Sequence, residues 1–566
     1  MSDNLTWSAT LLHNLYENGV RHAIISPGSR STPLTLASAI HPGIQKRVVL
    51  DERSAAFIAL GIGKSTGMPA VLICTSGTAV ANYMPAVVEA KESGVPMILL
   101  TADRPPKLRN LGSSQTVDQI KLFGDQTVFF HEAGEPVDDE EDLKRVAYLA
   151  KQAVDFSRDI GGAAQINLAF RKPLEPTTES FQKEKQRLEE ITVIQDFEPT
   201  TNRSEITLDD EVINLLSSST RPLLISGPSD PRHDLSSQIN KMAAHLNAPV
   251  LAEPGSQFSD AEHQIKRFDQ FIRNPETRSN LQPDLIVRFG DQPYSSSLLW
   301  VLEACNEVPV IHITARRQTQ DHAMSVLHKI VCQKHDTINH GDLSPRSSET
   351  WMNEWRSLDE SVLKLLDEKI KNQTELTDGG IFNYFSDQLS EDWNVILSNS
   401  LPARDMLTFG QSRKHQFVNR GAAGIDGVLS TALGIHFSSP NPTCSFIGDL
   451  AFLHDSNALY TLQQVSDQAF VVIVINNQGG NIFRMLPIYR KEDRAVPEDI
   501  YQTYFQTPQK TDLSHLARAS GIDYQNIDSL NALQDIKIND IGGAKIIECV
   551  TDAKGSMDLR IDLLKS

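Results

Sequence analysis

Two side chains able to bind a metal ion follow apolar segments in the last third of the chain. A carboxylate, Asp449, comes directly after residues 444–448, and an amide, Asn477, comes after the apolar run at 469–475. A backbone carbonyl near Gly479 is a third candidate ligand. Oxygen ligands of this kind suit Mg²⁺ or Ca²⁺. With only three ligands from the protein, the remaining coordination positions are left for water or phosphate oxygens. The spacing therefore indicates a metal-anchored diphosphate.

These ligands require two parallel strands that end at the same sheet edge. Both segments are apolar, and the second is rich in β-branched residues, which predicts buried parallel strands. Between them, apolar residues recur at helical spacing over 454–464, so the unit is a strand, a helix and a strand joined by a right-handed crossover. Open α/β sheets bind ligands at such an edge. The alternative is a plain βαβ unit in which Asp449 caps the helix and Asn477 belongs to a turn.

The first third of the chain predicts another parallel sheet with polar residues at its strand ends. Its predicted strands, which alternate with helical periods, are residues 22–26, 47–51, 70–75 and 97–101. The loops that follow them are residues 27–33, 51–53, 76–79 and 103–106. Taken singly, each loop is more typical of a helix cap or a turn. Four at one edge favour a binding face, over which residues 112–116 can fold as a loop.

The composition indicates a globular protein of several domains. With 566 residues, the chain has room for three or four domains at roughly 150 residues each. Its formal charge of −19 argues against nucleic acid or an anionic membrane as a partner. Five scattered cysteines without a Cys-x-x-Cys pair are typical of reduced core thiols. No apolar run approaches the roughly 20 residues of a membrane span, and no signal peptide is recognisable, so we expect a cytoplasmic protein.

The middle of the chain predicts a linker, a second α/β domain and a further connection. Residues 172–205 have little apolar periodicity and predict the linker. The predicted strands of the second domain are residues 222–226, 250–253, 284–289 and 308–313, and no G-x-G-x-x-G motif follows them. Residues 335–380 are charged and include an amphipathic helix through Trp351 and Trp355. We place the domains at 1–185, 186–350 and 351–566, each with a mainly parallel sheet flanked by helices.

Six motifs taken together resemble one enzyme family. They are Ser26-Pro-Gly-Ser-Arg-Ser-Thr-Pro-Leu34, Asp51-Glu-Arg53, Thr101-Ala-Asp-Arg-Pro-Pro106, Asn419-Arg-Gly-Ala-Ala-Gly-Ile-Asp-Gly427, Gly448-Asp-Leu450 and Asn476-Asn-Gln-Gly-Gly480. The set resembles the thiamine-diphosphate (ThDP) enzymes and, among them, the MenD family of menaquinone biosynthesis, the 2-succinyl-5-enolpyruvyl-6-hydroxy-3-cyclohexene-1-carboxylate (SEPHCHC) synthases. Two departures are Leu450, where many relatives have Gly, and a gap from Asp449 to Asn477 that is one residue longer than expected.

The resemblance implies a three-domain ThDP fold and a reaction. The pyrimidine ring of ThDP would lie on the first domain of one subunit. Its diphosphate, held through Mg²⁺ or Mn²⁺, would lie on the third domain of a neighbour. A dimer is then obligatory, and a tetramer is expected. In the implied transferase reaction, 2-oxoglutarate is decarboxylated on the cofactor, and the remaining four-carbon unit adds to the conjugated double bond of isochorismate.

The resemblance also assigns catalytic and cofactor residues. Glu52 would hydrogen-bond N1′ of the aminopyrimidine, and burial would raise its pKa so that the proton is shared. The alternative is a first-turn residue that the helix dipole favours. Ile425 would hold the cofactor bent, and it fits an ordinary core position equally well. The cofactor residues are Ser400, Gly424, Ile425, Asp449, Leu450, Asn477, Gly479, Asn481 and Ile482, and the metal ligands among them are Asp449, Asn477 and Gly479.

Both implied substrates are dicarboxylates, which planar guanidinium groups bind well. The predicted substrate-binding residues are Ser29, Arg30, Arg104, Gln115, Arg404, Arg420, Ile482, Phe483 and Leu486. The last three would form an apolar wall that desolvates the reacting carboxylate. Arginine is also common in surface ion pairs, so an ion pair is the alternative for each of the four arginines.

The middle domain lacks a feature of some relatives, whose loop after the third strand carries basic residues for substrate carboxylates. Here that loop, residues 290–297, has no Lys or Arg, which leaves Arg316 or Arg317 as substitutes. No His follows Asp449 or Glu52, which favours carboligation over release of an aldehyde. Two alternatives stay open: another ThDP carboligase of the acetolactate-synthase type, which would prefer pyruvate, and a non-catalytic ThDP-binding scaffold.

Overall fold

The computed structural model describes residues 4–137, 139–190, 203–260, 262–339, 349–490 and 496–564. The described chain divides into two compact units. The first contains the described residues before 191 together with Gly421–Pro440 and Asp455–Gln464, and the second contains the rest. Within these ranges, no helix has the length and apolar content needed to cross a bilayer.

Six parallel strands form the first sheet: β1 (His22–Ile25), β2 (Gln45–Val48), β3 (Ala70–Cys74), β4 (Met97–Asp103), β5 (Thr127–Glu132) and β6 (Ala163–Ala169). Their order across the sheet is β2-β1-β3-β4-β6-β5. The helices of this part are α1 (Asn4–Glu17), α2 (Thr32–Ile40), α3 (Glu52–Thr66), α4 (Thr78–Ala81), α5 (Met84–Ser93), α6 (Glu140–Phe156) and α7 (Thr178–Glu189).

All four strands predicted for this part are present, but β2 is displaced. It begins at Gln45 rather than residue 47 and lies at the sheet edge, where its polar side chains are largely exposed and give no apolar signal. The sequence did not predict β5 and β6. In β6 the buried residues include Gln165 and Asn167, whose polarity interrupts the apolar run that marks a buried strand.

The linker prediction for 172–205 is wrong in part, because this segment contains α7. Thr177 caps the helix by accepting a hydrogen bond from the backbone N–H of Ser180. Leu188 is fully buried in the core of the first sheet, and Phe181 packs against that core. Few apolar residues carry this contact, so periodicity alone did not reveal it. The remainder of the predicted linker at 191–202 lies outside the described residues.

The second sheet contains the four strands predicted for the middle of the chain. The strands of this region are β7 (Glu205–Thr207), β8 (Pro222–Ser226), β9 (Val250–Ala252), β10 (Leu285–Phe289), β11 (Val310–Thr314), β12 (Val326–Val331) and β13 (Thr337–Asn339). The sheet order is β12-β11-β10-β8-β9, and β7 and β13 pair separately. The helices are α8 (Asp210–Ser218), α9 (Ser236–Leu246), α10 (Phe268–Phe271), α11 (Pro275–Asn280), α12 (Ser296–Ala304) and α13 (Glu349–Lys371). The predicted amphipathic helix is α13, in which Trp351 and Trp355 are buried.

The third sheet repeats the strand order of the first. Its strands are β14 (Asn394–Leu397), β15 (Gln416–Val418), β16 (Thr443–Gly448), β17 (Phe470–Asn476), β18 (Asp523–Ile527) and β19 (Ala544–Val550), in the order β15-β14-β16-β17-β19-β18. The helices of this part are α14 (Asp378–Gln388), α15 (Leu401–Phe409), α16 (Val428–Phe437), α17 (Asp449–His454), α18 (Leu459–Leu462), α19 (Pro487–Arg490), α20 (Glu498–Tyr501), α21 (Leu513–Ala519), α22 (Leu530–Gln534) and α23 (Ala553–Leu564).

The continuous helix predicted over 454–464 is wrong. The chain forms α17 and α18, with a break after His454 and a 3₁₀ turn between them. The break coincides with Asp455, whose buried carboxylate accepts hydrogen bonds from the backbone N–H and the hydroxyl of Ser430. The Asp455 carboxylate therefore stabilises the first turn of α16. It lies just after the end of α17 and does not continue that helix.

Small residues let α3 and α16 approach closely within the first unit. A Cβ atom on Gly434 would lie 2.0 Å from the carbonyl oxygen of Ile58, and one on Gly61 would lie 2.1 Å from that of Thr431. Only glycine fits at either position. The Gly/Ala-rich run around α16 thus packs on the helix that begins at Glu52.

Candidate active site

The two predicted metal ligands lie at the ends of neighbouring parallel strands. Asp449 begins α17 directly after β16, and Asn477 follows β17. The backbone N–H of Gly479 donates to the Asp449 carboxylate. The Nδ2 atom of Asn481 lies 2.9 Å from Asn477 Oδ1 and 3.5 Å from the carbonyl oxygen of Gly479. One carboxylate, one amide oxygen and one carbonyl oxygen are thereby gathered at one sheet edge.

The Asp449 carboxylate is buried. Burial raises its pKa to about 6, against hydrogen bonds from the N–H groups of Leu450 and Gly479, and the charge of Asp378 raises it further. Among the described residues, Asp449 forms no ion pair, and no group of three or more His, Cys, Asp or Glu side chains could hold a metal ion. A metal ion here would depend on amide and carbonyl oxygens beside one carboxylate. That donor set fits Mg²⁺ or Mn²⁺ with phosphate oxygens completing the coordination.

Gly479 has a backbone conformation that only glycine adopts freely. Its φ is +116°, and a Cβ atom would lie 2.1 Å from the carbonyl oxygen of Gln506. The carbonyl oxygen of Gln506 also accepts the N–H of Gly480, at 2.6 Å. The loop that presents the Gly479 carbonyl is therefore held tightly by the segment around Gln506.

Ser400 is strained in the way that functional residues often are. It precedes α15 with a φ of +72°, which costs a non-glycine residue about 1–3 kcal/mol. Its carbonyl oxygen accepts a 2.6 Å hydrogen bond from Nη1 of Arg404, which lies one helical turn along the chain. The strained turn thus fixes the position of a predicted substrate-binding guanidinium.

Arg404 and Arg420 lie close enough for their charges to repel each other. Burial lowers the pKa of Arg404, and the positive charge of Arg420 lowers it further. Arg420 donates through Nη1 to Asn399 Oδ1 at 2.9 Å, and its buried Nε has no hydrogen-bond partner in the described part of the chain. Both guanidinium groups therefore bind neutral oxygens, and the charges of Asp269 and Asp405 only partly offset the lowered pKa of Arg404.

The loop at 290–297 contributes an aromatic ring to this arginine pair. Arg420 stacks over the ring of Tyr294 at 4.8 Å. The backbone N–H groups of Tyr294 and Ser295 donate to Glu253, whose pKa burial raises to about 7. Arg316, a proposed substitute for a basic residue in this loop, forms an ion pair with Asp291 at 3.2 Å. The loop therefore supports a cation rather than supplying one.

The edge of the first sheet brings together Arg30, Arg104 and Gln115. Burial lowers the pKa of Arg30, and the neighbouring charge of Arg104 lowers it further. Arg30 donates through Nη1 to the carbonyl oxygen of Phe170 at 2.7 Å, and its buried Nε is without a partner among the described residues. Gln115 Nε2 donates to the carbonyl oxygen of Ser76 at 2.9 Å, so the loop at 112–116 does fold over this edge. Ser29 is exposed beside Arg30.

Glu52 is the first residue of α3 and is half-buried. The helix is capped by Asp51, which accepts from the N–H of Ser54 at 3.0 Å and from Nδ2 of Asn457 at 2.5 Å. Asp51 is therefore the side-chain cap of α3, and Glu52 lies beside it in the first turn.

Ile425 lies in a loop that two helices of the first unit hold. Gly427 has a φ of +64°, and a Cβ atom there would lie 2.0 Å from the ring of Phe57 on α3. On α5, the buried carboxylate of Glu89 accepts the N–H groups of Gly421 and Ala422 at 2.9 and 2.6 Å. Burial raises the pKa of Glu89. Gly424 and Ile425 lie between these anchors and are partly exposed.

The predicted apolar wall lies on the segment that follows Asn481. Ile482 and Phe483 are partly exposed, and Leu486 is 44% exposed. Phe483 packs edge-on against Phe505 at 5.8 Å. Partly exposed apolar side chains directly after the loop of the predicted metal ligands are available to cover a bound molecule.

Sequence reasoning missed several residues that support these groups. Asp378 follows Thr377 as a helix start and carries no motif, yet it accepts a hydrogen bond from Asn477, 99 positions along the chain. Glu89 and Tyr294 lie in ordinary helix and loop positions. Long-range contacts of this kind have no local sequence signal, because the fold rather than the spacing brings the partners together.

Comparisons with protein families agree with this architecture. The model of the thiamine pyrophosphate enzyme N-terminal TPP binding domain matches residues 5–122. The model of the middle domain of thiamine pyrophosphate enzymes matches residues 216–394, and that of the C-terminal TPP binding domain matches residues 403–541. The fold is thus the three-domain α/β fold of ThDP enzymes, with parallel sheets flanked by helices.

Curated relatives extend the similarity over nearly the whole chain. A protein of Trichodesmium erythraeum named 2-succinyl-5-enolpyruvyl-6-hydroxy-3-cyclohexene-1-carboxylate synthase is 36% identical over 99% of this chain and 98% of its own length. Proteins of the same name from Microcystis aeruginosa and Desulfitobacterium hafniense are 34% and 33% identical, each over 97% of this chain and 96% and 98% of their own lengths. The chain belongs to the thiamine pyrophosphate enzymes and, within them, to the family of SEPHCHC synthases.

Proposed function

We propose that this protein is a SEPHCHC synthase of menaquinone biosynthesis, which decarboxylates 2-oxoglutarate and adds the remaining four-carbon unit to isochorismate. The observation that carries the proposal is the state of the four predicted arginines. Among the described residues, none of Arg30, Arg104, Arg404 and Arg420 forms an ion pair with a carboxylate. Partly buried guanidinium groups that lie at strand ends and form no ion pair suit dicarboxylate substrates.

The proposed cofactor is ThDP, which when bound would supply a thiazolium carbon able to add to the keto group of 2-oxoglutarate and an electron sink for its decarboxylation. Glu52 would hold a proton at N1′ of the aminopyrimidine from the first turn of α3. Ile425, on the loop between Glu89 and Phe57, would support the bent shape of the cofactor. Ser400, Gly424, Leu450, Asn481 and Ile482 complete the proposed cofactor contacts.

The proposed metal is Mg²⁺ or Mn²⁺, bound by Asp449, Asn477 and the carbonyl oxygen of Gly479. The support is the gathering of these oxygens and the raised pKa of Asp449, which marks a buried carboxylate without a counter-charge. A divalent ion would supply that charge and tie the cofactor's diphosphate to the protein.

Substrate binding would divide between two sets of groups. Arg30 and Arg104, with Ser29 and Gln115 beside them, would bind one set of carboxylates from the first sheet. Arg404 and Arg420 would bind another, with Tyr294 holding the Arg420 guanidinium in place. The apolar side chains of Ile482, Phe483 and Leu486 would exclude water from the carboxylate that leaves as CO₂.

The assembly and the setting are further parts of the proposal. We propose an obligatory dimer, with a tetramer expected, in which the cofactor lies between domains of neighbouring subunits. The proposed domains are residues 1–185, 186–350 and 351–566. The proposed location is the cytoplasm, a setting that suits the five free, buried cysteines.

The test is an assay of the purified protein with ThDP and Mg²⁺. We expect CO₂ release from 2-oxoglutarate that depends on isochorismate, and little release from pyruvate. A preference for pyruvate would support an acetolactate-synthase-like carboligase instead. Cofactor binding without turnover of either 2-oxoacid would support a non-catalytic scaffold.

A further inference from the structure

The side-chain amide of Asn477 can face the metal position in only one of its two orientations. Its Oδ1 can bind a cation, whereas its NH₂ group can only donate hydrogen bonds. The two orientations have the same shape, so the partners of the amide decide between them. The Nδ2 atom lies 3.0 Å from Oδ2 of Asp378, which as a carboxylate can only accept. Turning the amide would set two oxygens against each other, so Asp378 holds Oδ1 on the side of Asn481 and Gly479.

Asp378 is itself held by groups near the C-terminus. It is fully buried at the start of α14. Its Oδ1 accepts the hydroxyl of Thr551 at 2.6 Å, and its Oδ2 accepts Nη2 of Arg560 at 2.8 Å. Its backbone N–H donates to Ser556 Oγ at 2.9 Å. The carboxylate therefore has no freedom to release Asn477 without breaking several buried hydrogen bonds.

A second carboxylate shares Arg560 but does not contact Asn477. Asp405 accepts Nε of Arg560 at 2.8 Å and Nη2 at 2.5 Å. Asp405 and Arg560 are both buried. A buried ion triad of this kind adds little net stability, because the cost of desolvating its charges offsets their attraction. Its clearest consequence is geometric, since it fixes Asp378 in one position.

We propose that Asp378 is a positioning residue that orients the Asn477 amide toward the divalent ion, with Thr551 and Arg560 holding Asp378 in turn. This inference rests on the proposed metal site. In this role Asp378 would contact Asn477 rather than the metal or the cofactor. It acts in the way that outer partners orient metal ligands in other sites.

The test compares variants of the two carboxylates that bind Arg560. Asp378→Ala removes the acceptor of Asn477, and Asp405→Ala is the matched control, because it removes a buried carboxylate from the same guanidinium. Mg²⁺ affinity is measured by calorimetry on the full chain with saturating ThDP, and thermal melting is measured without metal. We expect both variants to melt at lower temperature. Only Asp378→Ala should weaken Mg²⁺ binding, by about 10- to 100-fold.

Two further variants separate orientation from folding. In Asp378→Asn the amide oxygen can still accept from Asn477 and Arg560 while its NH₂ group meets the Thr551 hydroxyl, so Mg²⁺ affinity should stay within about threefold of the unaltered protein. Asp378→Ser is less disruptive than alanine at a helix start, but its hydroxyl is too short to reach Asn477, so it should lose Mg²⁺ affinity as alanine does.

Several outcomes would overturn the inference. Normal Mg²⁺ affinity in Asp378→Ala or Asp378→Ser would do so, as would an equal loss of affinity in Asp405→Ala, which would indicate general loosening. If the unaltered protein with ThDP bound no Mg²⁺, both the proposed metal site and this inference would fall. Normal binding in the unaltered protein together with a normal Asp378 variant would remove only the inference.

Discussion

The first and third sheets share one strand order but present different chemistry at equivalent strand ends. After the second strand of each sheet come Glu52 in the first and Arg420 in the third. After the third strand come Ser76 and Asp449, respectively. A duplicated ancestor would explain the shared topology. The difference shows that the scaffold places loops at one edge, while the residues on those loops decide what the edge can bind.

A buried hydrogen bond from an Asn side chain to an Asp carboxylate lies at the end of the fourth strand in both sheets. The strand end supplies the Asp in the first sheet and the Asn in the third. At the end of β4, Asp103 accepts from Asn167 Nδ2 at 2.9 Å and from Arg109 at 2.7 Å. After β17, Asn477 is the donor and Asp378 the acceptor. The first sheet thus buries its carboxylate at this point and leaves the guanidinium of Arg104 at the edge, whereas the third leaves an amide oxygen. At this strand end, therefore, the first sheet presents a cation, and the third sheet presents an oxygen that can bind one.

The largest effect that would test this difference between the two sheets is expected at Glu52, a carboxylate at the edge of the first sheet. Replacing it in Glu52→Gln removes the acid that would hold a proton at the cofactor, so we expect turnover to fall about 100- to 10,000-fold. ThDP binding, measured by calorimetry, should change little, because Gln keeps the size and a hydrogen-bonding group.

The matched control is Glu141→Gln, which alters an exposed first-turn glutamate of α6 and should leave turnover unchanged. Near-normal turnover in Glu52→Gln would remove the catalytic role of Glu52. It would also leave the two edges without the chemical difference proposed for them.

The next largest effect concerns the oxygen set of the third edge. Asp449→Asn removes the one carboxylate of this set, so we expect the Mg²⁺ affinity measured with ThDP to fall about 100-fold or more. Loss of a residue that only orients a metal ligand costs about 10- to 100-fold. In the unaltered protein, metal binding must displace a proton from a group whose pKa burial raises to about 6. The apparent affinity should therefore fall about tenfold per pH unit below that value. Calorimetry from about pH 5 to about pH 8 would follow both effects.

The raised pKa of Asp449 also determines how the stability of the metal-free protein changes with pH. The pKa of folded Asp449 lies above its ordinary value of 3.8, so the protonated form stabilises the folded protein. That contribution is complete below about 3.8 and is lost as pH rises through about 6. The metal-free Asp449→Asn variant, which never carries this buried charge, should melt above the unaltered protein at neutral pH, and Mg²⁺ with ThDP should reverse the order. Equal melting temperatures across this pH range would contradict the buried charge.

The sequence predicted the strands that are apolar runs and the polar residues that end them. Asp449, Asn477 and Gly479 were predicted together because βαβ geometry converts a spacing of residues into a shared sheet edge. The same reasoning misplaced the bounds of β2, whose exposed edge position removes the apolar signal, and it failed for the helix after Asp449, which Asp455 interrupts. Asp378 and Glu89 were out of reach, because their partners lie far along the chain and their own neighbours show only ordinary helix starts and surfaces.

The smallest effect tests whether the third edge is more rigid than an ordinary loop. Gly479→Ala adds a Cβ at a φ of +116°, 2.1 Å from a backbone carbonyl oxygen, whereas Gly521→Ala adds one at a φ of +64° with nothing within 4 Å. Both substitutions should lower stability by about 1–2 kcal/mol, because a side chain disfavours the left-handed conformation. Only Gly479→Ala should lose a further amount of about 1–3 kcal/mol to steric overlap, because the Gln506 carbonyl belongs to the backbone and cannot rotate away.

Thermal melting measures this difference, and added Mg²⁺ with ThDP assigns it to the site. We expect the ligands to raise the melting temperature of Gly521→Ala as much as that of the unaltered protein, and to raise that of Gly479→Ala less, since the carbonyl at 479 would be displaced from the metal. Equal losses in the two variants, restored equally by the ligands, would mean that the chain around Gln506 yields to the added methyl group. The close backbone contact would then not be what holds the proposed metal ligands of the third sheet in place.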